Sequence, residues 1–172
     1  MPSLPNLAAA GAYQSSLAWS PSDLAAVQRY GLCHGVSVFI EIDMPGHTGS
    51  IGYAYPDLIT AFNESDWSTF AAEPGTGQLK LNSSAVYTFL DSLFADLLPR
   101  VSPYTQFFHN GGDEVNVNAF LLDETVRSNS SEVLQPLVQK LMTYVTGLAS
   151  KASLQPIVWE EMLLDWNLTL SG

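Results

Sequence analysis

The sequence predicts an α/β fold built on parallel strands. Apolar runs with helical period alternate with short β-branched runs along the whole chain. The connections between strand runs are long enough to hold helices, which forces neighbouring strands to run parallel with right-handed crossovers. A third observation agrees: residues able to do acid–base chemistry sit just past each strand run, where parallel α/β folds bind ligands.

The first helix is expected from Ser20. Ser20 caps it, Pro21 takes the first helical position, and Asp23 follows three residues after the cap. Leu24, Val27 and Tyr30 recur at helical spacing, and Gly35 closes the element. Val36 to Asp43 then alternates strictly. Val36, Val38, Ile40 and Ile42 fall on one face and Phe39, Glu41 and Asp43 on the other. Met44 to Lys80 is rich in Gly and Pro and reads as a long functional loop. A second helix is expected from about Ser83 to Leu98, ended by Pro99, with Val86, Phe89, Leu90, Leu93, Phe94 and Leu97 inward. A short strand over about Thr105 to Asn110 leads into Gly111-Gly112-Asp113-Glu114. A third helix spans roughly Glu132 to Ala149, and a third strand runs from about Pro156 to Glu160.

Composition narrows the partners. Hydrophobic residues make up 47% of the 172 residues and charged residues 13%, which excludes compositional disorder. The net charge of -11 disfavours nucleic acid and anionic lipid, both of which need basic patches. No apolar run reaches the roughly 18 residues of a membrane span, and residues 1–10 lack the pattern of a signal peptide. The single cysteine, Cys33, allows no internal disulfide. Four of the eight asparagines, Asn63, Asn82, Asn129 and Asn167, stand in Asn-x-Ser/Thr sequons, so a glycosylated, secreted protein is expected, its leader lying outside this sequence.

Three clusters carry chemistry. Asp113 and Glu114 follow two glycines that permit a sharp turn, so both carboxylates can reach one pocket. Held close, they resist joint ionisation, and one pKa should rise toward what a general acid needs. Acids decorating a helix N-terminus would give the same string. In Asp43-Met44-Pro45-Gly46-His47, the Pro-Gly turn can aim His47 back over the strand end. A metal set of Asp43 and His47, joined by His109, is the alternative and needs three or four ligands. Trp159 offers a flat wall to a sugar face, although a core tryptophan reads the same way.

Together the strings Glu41-Ile42-Asp43-Met44-Pro45-Gly46-His47-Thr48, His109-Asn110-Gly111-Gly112-Asp113-Glu114-Val115 and Val158-Trp159-Glu160-Glu161 resemble the β-N-acetylhexosaminidases of glycoside hydrolase family twenty, in its fungal form. The resemblance runs from about Gly11 onward. It implies that residues 1–172 are a fragment of a (β/α)8 barrel, with strands like its third to fifth, because a complete barrel needs about 250 residues. It implies hydrolysis of terminal N-acetyl-D-hexosamine residues from N-acetyl-β-hexosaminides, with retention and with assistance from the substrate's own acetamido group. Glu114 would be the acid/base, Asp113 the acetamido-orienting group and His47 a partner of Glu114. Trp159, Asp43 and Glu161 would bind substrate. No metal or organic cofactor is implied. The implied partner is an N-acetylglucosamine-containing oligosaccharide, the location extracellular or vacuolar, and the full-length protein a possible homodimer. A truncated, inactive chain with weak sugar binding is the alternative. The family has arginine where His34 precedes Gly35, a difference expected to touch stability rather than chemistry.

Overall fold

Helix α1 (Pro5–Gly11) opens the computed structural model, which describes residues 3–170. Helix α2 (Pro21–Cys33) begins as the sequence dictates. Ser20 accepts the Asp23 N–H, and the Asp23 carboxylate accepts the Ser20 N–H at 2.8 Å, a reciprocal capping box. The segment expected to be one long loop holds short elements instead. Helix α3 (Gly49–Gly52), strand β1 (Ile59–Thr60), helix α4 (Trp67–Phe70) and strand β2 (Gln78–Leu79) follow in order, and β1 and β2 pair antiparallel with Thr60 opposite Gln78. Two-residue strands leave no periodicity for sequence reading to find.

Helix α5 (Ser84–Val101) runs past the proline expected to end it. Pro99 lies in the last turn, where its missing N–H costs one hydrogen bond. Val101 is fully buried, and Ser102 N–H still donates to the Leu98 carbonyl, so packing carries the helix beyond Pro99. Strand β3 (Phe107–His109), helix α6 (Ser131–Lys151), strand β4 (Gln155–Ile157) and helix α7 (Glu161–Leu164) complete the order. β3 and β4 are parallel, as expected, but each strand is about half the length expected.

The largest correction concerns Val36 to Asp43. Only Glu41 forms a bridge, parallel to His109, and the rest of the segment is extended without a regular ladder. His109 N–H donates to the Ile40 carbonyl, and Ile42 N–H donates to the His109 carbonyl. The predicted alternation survives at its end. Ile40 and Ile42 pack on the core, while Phe39 stays 43% exposed. Val36, Val27 and Tyr30 are exposed too, so the apolar stripe of α2 is only partly used. One neighbour strand is too few to order a strand along its length.

The core lies between β3/β4 and the helices α5 and α6. Leu90, Phe108, Leu134, Val138, Leu141 and Val145 are fully buried there, and Phe94 meets Phe108 with ring centroids 5.3 Å apart. This helix–sheet layer sets the rigid floor from which the strand-end turns rise.

Candidate active site

Three turns leave the same ends of three neighbouring strand segments. The first carries His47. Pro45 carbonyl accepts from both Thr48 Oγ1 (3.0 Å) and Leu79 N–H (2.9 Å), which pins the turn. Gly46 is required: a Cβ there would stand 2.9 Å from the Asp113 carbonyl oxygen. His47 itself is left-handed at φ 51°, a conformation that costs a non-glycine residue energy and concentrates at functional sites.

The second turn carries the acids. Gly111 and Gly112 take φ of 68° and 108°, and a side chain at Gly111 would collide with the Asp43 carboxylate. Glu114 is left-handed as well, at φ 50°. Together these dihedrals swing two adjacent acids toward the first turn. His47 Nε2 lies 3.3 Å from Glu114 Oε2 and 3.8 Å from Asp113 Oδ2. The expected convergence of His47, Asp113 and Glu114 is therefore present. Asp43 joins them, its Oδ1 accepting the Gly112 N–H at 2.9 Å.

The Asp43 carboxyl is raised. Burial pushes it from 3.8 to about 7, a hydrogen bond with Asp113 and the Asp113 charge add to the rise, and the Gly112 N–H and His47 oppose it. Asp43, His47 and Asp113 each place one ligating atom within 4.8 Å of the others. The metal set that included His109 does not form. His109 is buried, and its Nδ1 accepts the Gly111 N–H at 3.0 Å. Its 3.3 Å approach to Glu41 Oε1 is thus a proximity rather than a second hydrogen bond from the same nitrogen.

The third turn carries Trp159 and Glu161. Trp159 packs on His109 with the rings tilted at 58° and 4.8 Å between centroids, and its indole N–H donates to Glu41 Oε1 at 3.0 Å. It is 44% exposed, a standing wall rather than a core residue. Glu161 lies apart from Trp159, on a cavity of about 430 Å³ that it shares with Glu114, Val115, Ser131, Asp165 and Trp166. Sequence reading missed Glu41 as the hydrogen-bond partner that orients Trp159, although the strand alternation already put it on the face of Asp43. It also missed Gln78, which sits in a segment with no legible period.

A model of glycosyl hydrolase family 20, catalytic domain, matches residues 1–172. The chain belongs to this family. It is 54% identical over 170 residues to the β-hexosaminidase of Arthroderma benhamiae, covering 99% of this chain and 28% of that protein. A probable β-hexosaminidase of Drosophila melanogaster, fdl, is 32% identical, with 94% of this chain and 25% of that one covered. The chain thus spans little more than a quarter of the curated relatives it matches. Solved family 20 structures share the fold. An exo-β-N-acetylglucosaminidase from Vibrio harveyi, in complex with N-acetylglucosamine, superposes with a TM-score of 0.67 at 17% identity, over 85% of this chain and 23% of that one. A β-N-acetylhexosaminidase from Streptomyces coelicolor A3(2) gives 0.64 at 22% identity, over 93% and 30%. The family 20 chain is part of a (β/α)8 barrel, without barrel closure among the described residues.

Proposed function

We propose that this family 20 chain carries the catalytic centre of a β-N-acetylhexosaminidase. The observation that carries the reading is His47 Nε2, set against both Glu114 and Asp113 by two left-handed residues and two glycines. The reaction is hydrolysis of terminal non-reducing N-acetyl-D-hexosamine residues from N-acetyl-β-hexosaminides, with retention. Chitooligosaccharides are substrates in this reading, supported by 34% identity, over 131 residues, to a chitooligosaccharidolytic β-N-acetylglucosaminidase of Bombyx mori.

In this mechanism the acetamido oxygen of the substrate attacks the anomeric carbon. Asp113 orients the acetamido group and stabilises the positive charge that develops on it. Glu114, 44% exposed at the cleft, gives a proton to the leaving oxygen and later accepts one from water. His47 holds Glu114, and Asp43 holds Asp113. Trp159 walls the sugar, and Glu161 serves the cavity on the far side of Glu114.

Assay on an aryl N-acetyl-β-glucosaminide tests this. Glu114→Gln should lower turnover by about 10²-fold or more, the usual scale of a lost general acid. Turnover equal to the unaltered chain would sink the assignment. The exposure of Phe39 and Val36 favours a second reading, in which the chain holds the constellation without enclosing a sugar. It then binds N-acetylglucosamine weakly and turns nothing over, an outcome the same assay separates. Extracellular or vacuolar location remains part of the proposal. All four sequon asparagines are exposed, as glycan attachment requires, and loss of electrophoretic mass on endoglycosidase treatment of secreted material tests it.

A further inference from the structure

The β1–β2 hairpin touches both turns that face each other across the cleft. On the His47 side, Leu79 N–H donates to the Pro45 carbonyl at 2.9 Å and Thr48 N–H donates to the Gly77 carbonyl at 3.2 Å. On the Glu114 side, the contacts come from one rung, Thr60 opposite Gln78. Gln78 Nε2 donates to the Asn116 carbonyl at 2.8 Å, and its Oε1 accepts the Asn116 N–H at 3.1 Å. Thr60 Oγ1 donates to the Ala119 carbonyl at 2.8 Å. Both residues are 3% exposed. A buried primary amide that pairs with both polar groups of one residue behaves like an added strand, and leaving either group unpaired is costly. Asn116 is two residues from Glu114, whose left-handed backbone needs outside support.

We infer that Gln78, assisted by Thr60, is a positioning residue that fixes the separation between His47 and Glu114 by clamping the Asn116 backbone to the hairpin that also holds the His47 turn. It touches neither reacting group in this account and acts through the loop that carries the acid. The inference rests on the acid role proposed for Glu114, so its test has one arm that needs no activity.

Gln78→Met keeps the volume and removes both hydrogen bonds. Hydrogen exchange of the full chain, followed by NMR, should show the Asn116 amide about tenfold faster, with the Leu141 amide in α6 unchanged. On the aryl glycoside, turnover should fall by about tenfold while KM stays within about twofold, as expected when only the transition-state geometry is loosened. Thr60→Val, the milder change, should show the same pattern at about threefold. Gln78→Glu supplies the rescue. Its protonated carboxyl offers the same donor and acceptor, so its activity relative to the unaltered chain should recover as pH falls. Unchanged Asn116 exchange in a folded Gln78→Met variant overturns the clamp. Equal acceleration at Asn116 and Leu141 also overturns it, because that is general destabilisation. A rise in KM at constant turnover overturns the positioning role. If the unaltered chain shows no turnover, the activity proposal fails for this chain, and exchange at Asn116 alone then decides the clamp.

Discussion

The layer of α5, α6, β3 and β4 and the segment of α2 with Val36 to Asp43 both carry apolar stripes, yet the first is far more deeply buried. Phe108 on β3 is fully covered, whereas Phe39 on the preceding strand segment is 43% exposed. The difference lies in neighbours. β3 pairs with β4 along its length, meets Glu41 through one bridge on its other side and packs against helices, while the earlier segment has only that one bridge and a thinly packed helix. Apolar pattern decides which face of an element turns inward; the number of partners decides whether that face is covered. The cleft draws on both regions. Asp43 and His47 come from the thin side, Asp113 and Glu114 from the thick one, so the chemistry depends on how firmly the first is tied to the second.

That contrast is open to breakage, beginning with the largest effect. Phe108→Ala should cost about 3–5 kcal/mol by loss of buried area and creation of a cavity. Urea unfolding measures it, and a loss below about 1 kcal/mol would mean the layer is not the core. Asp43→Asn should alter the pH dependence of stability. The unfolded carboxyl titrates near 3.8 and the folded one near 7, so between those values the folded chain holds the extra proton and is favoured. That stabilisation is lost as pH rises through about 7. Melts at pH 5 and pH 8 should differ less in Asp43→Asn than in the unaltered chain, and an unchanged or larger difference would place the raised carboxyl elsewhere. Ser20→Ala should cost about 1 kcal/mol, the value of a helix cap. Phe39→Ala should be the mildest, within about 0.5 kcal/mol, as for an exposed residue. If Phe39→Ala costs as much as Phe108→Ala, the two regions are not different in kind.

Much of this was legible in the residues. The Ser20 cap, the inward face of α5 and the Gly111-Gly112 turn follow from local chemistry, and each formed as written. So did the meeting of His47 with the two acids, because a Pro-Gly turn and a Gly-Gly turn leave few other routes. What was not legible was set by tertiary partners. The ladder of Val36 to Asp43 shrank for want of a neighbour, α5 overran Pro99 because Val101 is buried, and β1–β2 are too short to have a period. The raised carboxyl of Asp43 was not legible either. It arises from burial first and from Asp113 second, both set by long-range contacts.

Coupling between the two regions across the cleft is read most directly by a double-mutant cycle of His47→Ala and Glu114→Gln on aryl N-acetyl-β-glucosaminide turnover. Residues acting as one unit are non-additive. The double variant should therefore fall no more than about twofold below Glu114→Gln alone. Losses that simply multiply would show that the imidazole and the acid work independently, and would contradict a catalytic centre assembled from both halves.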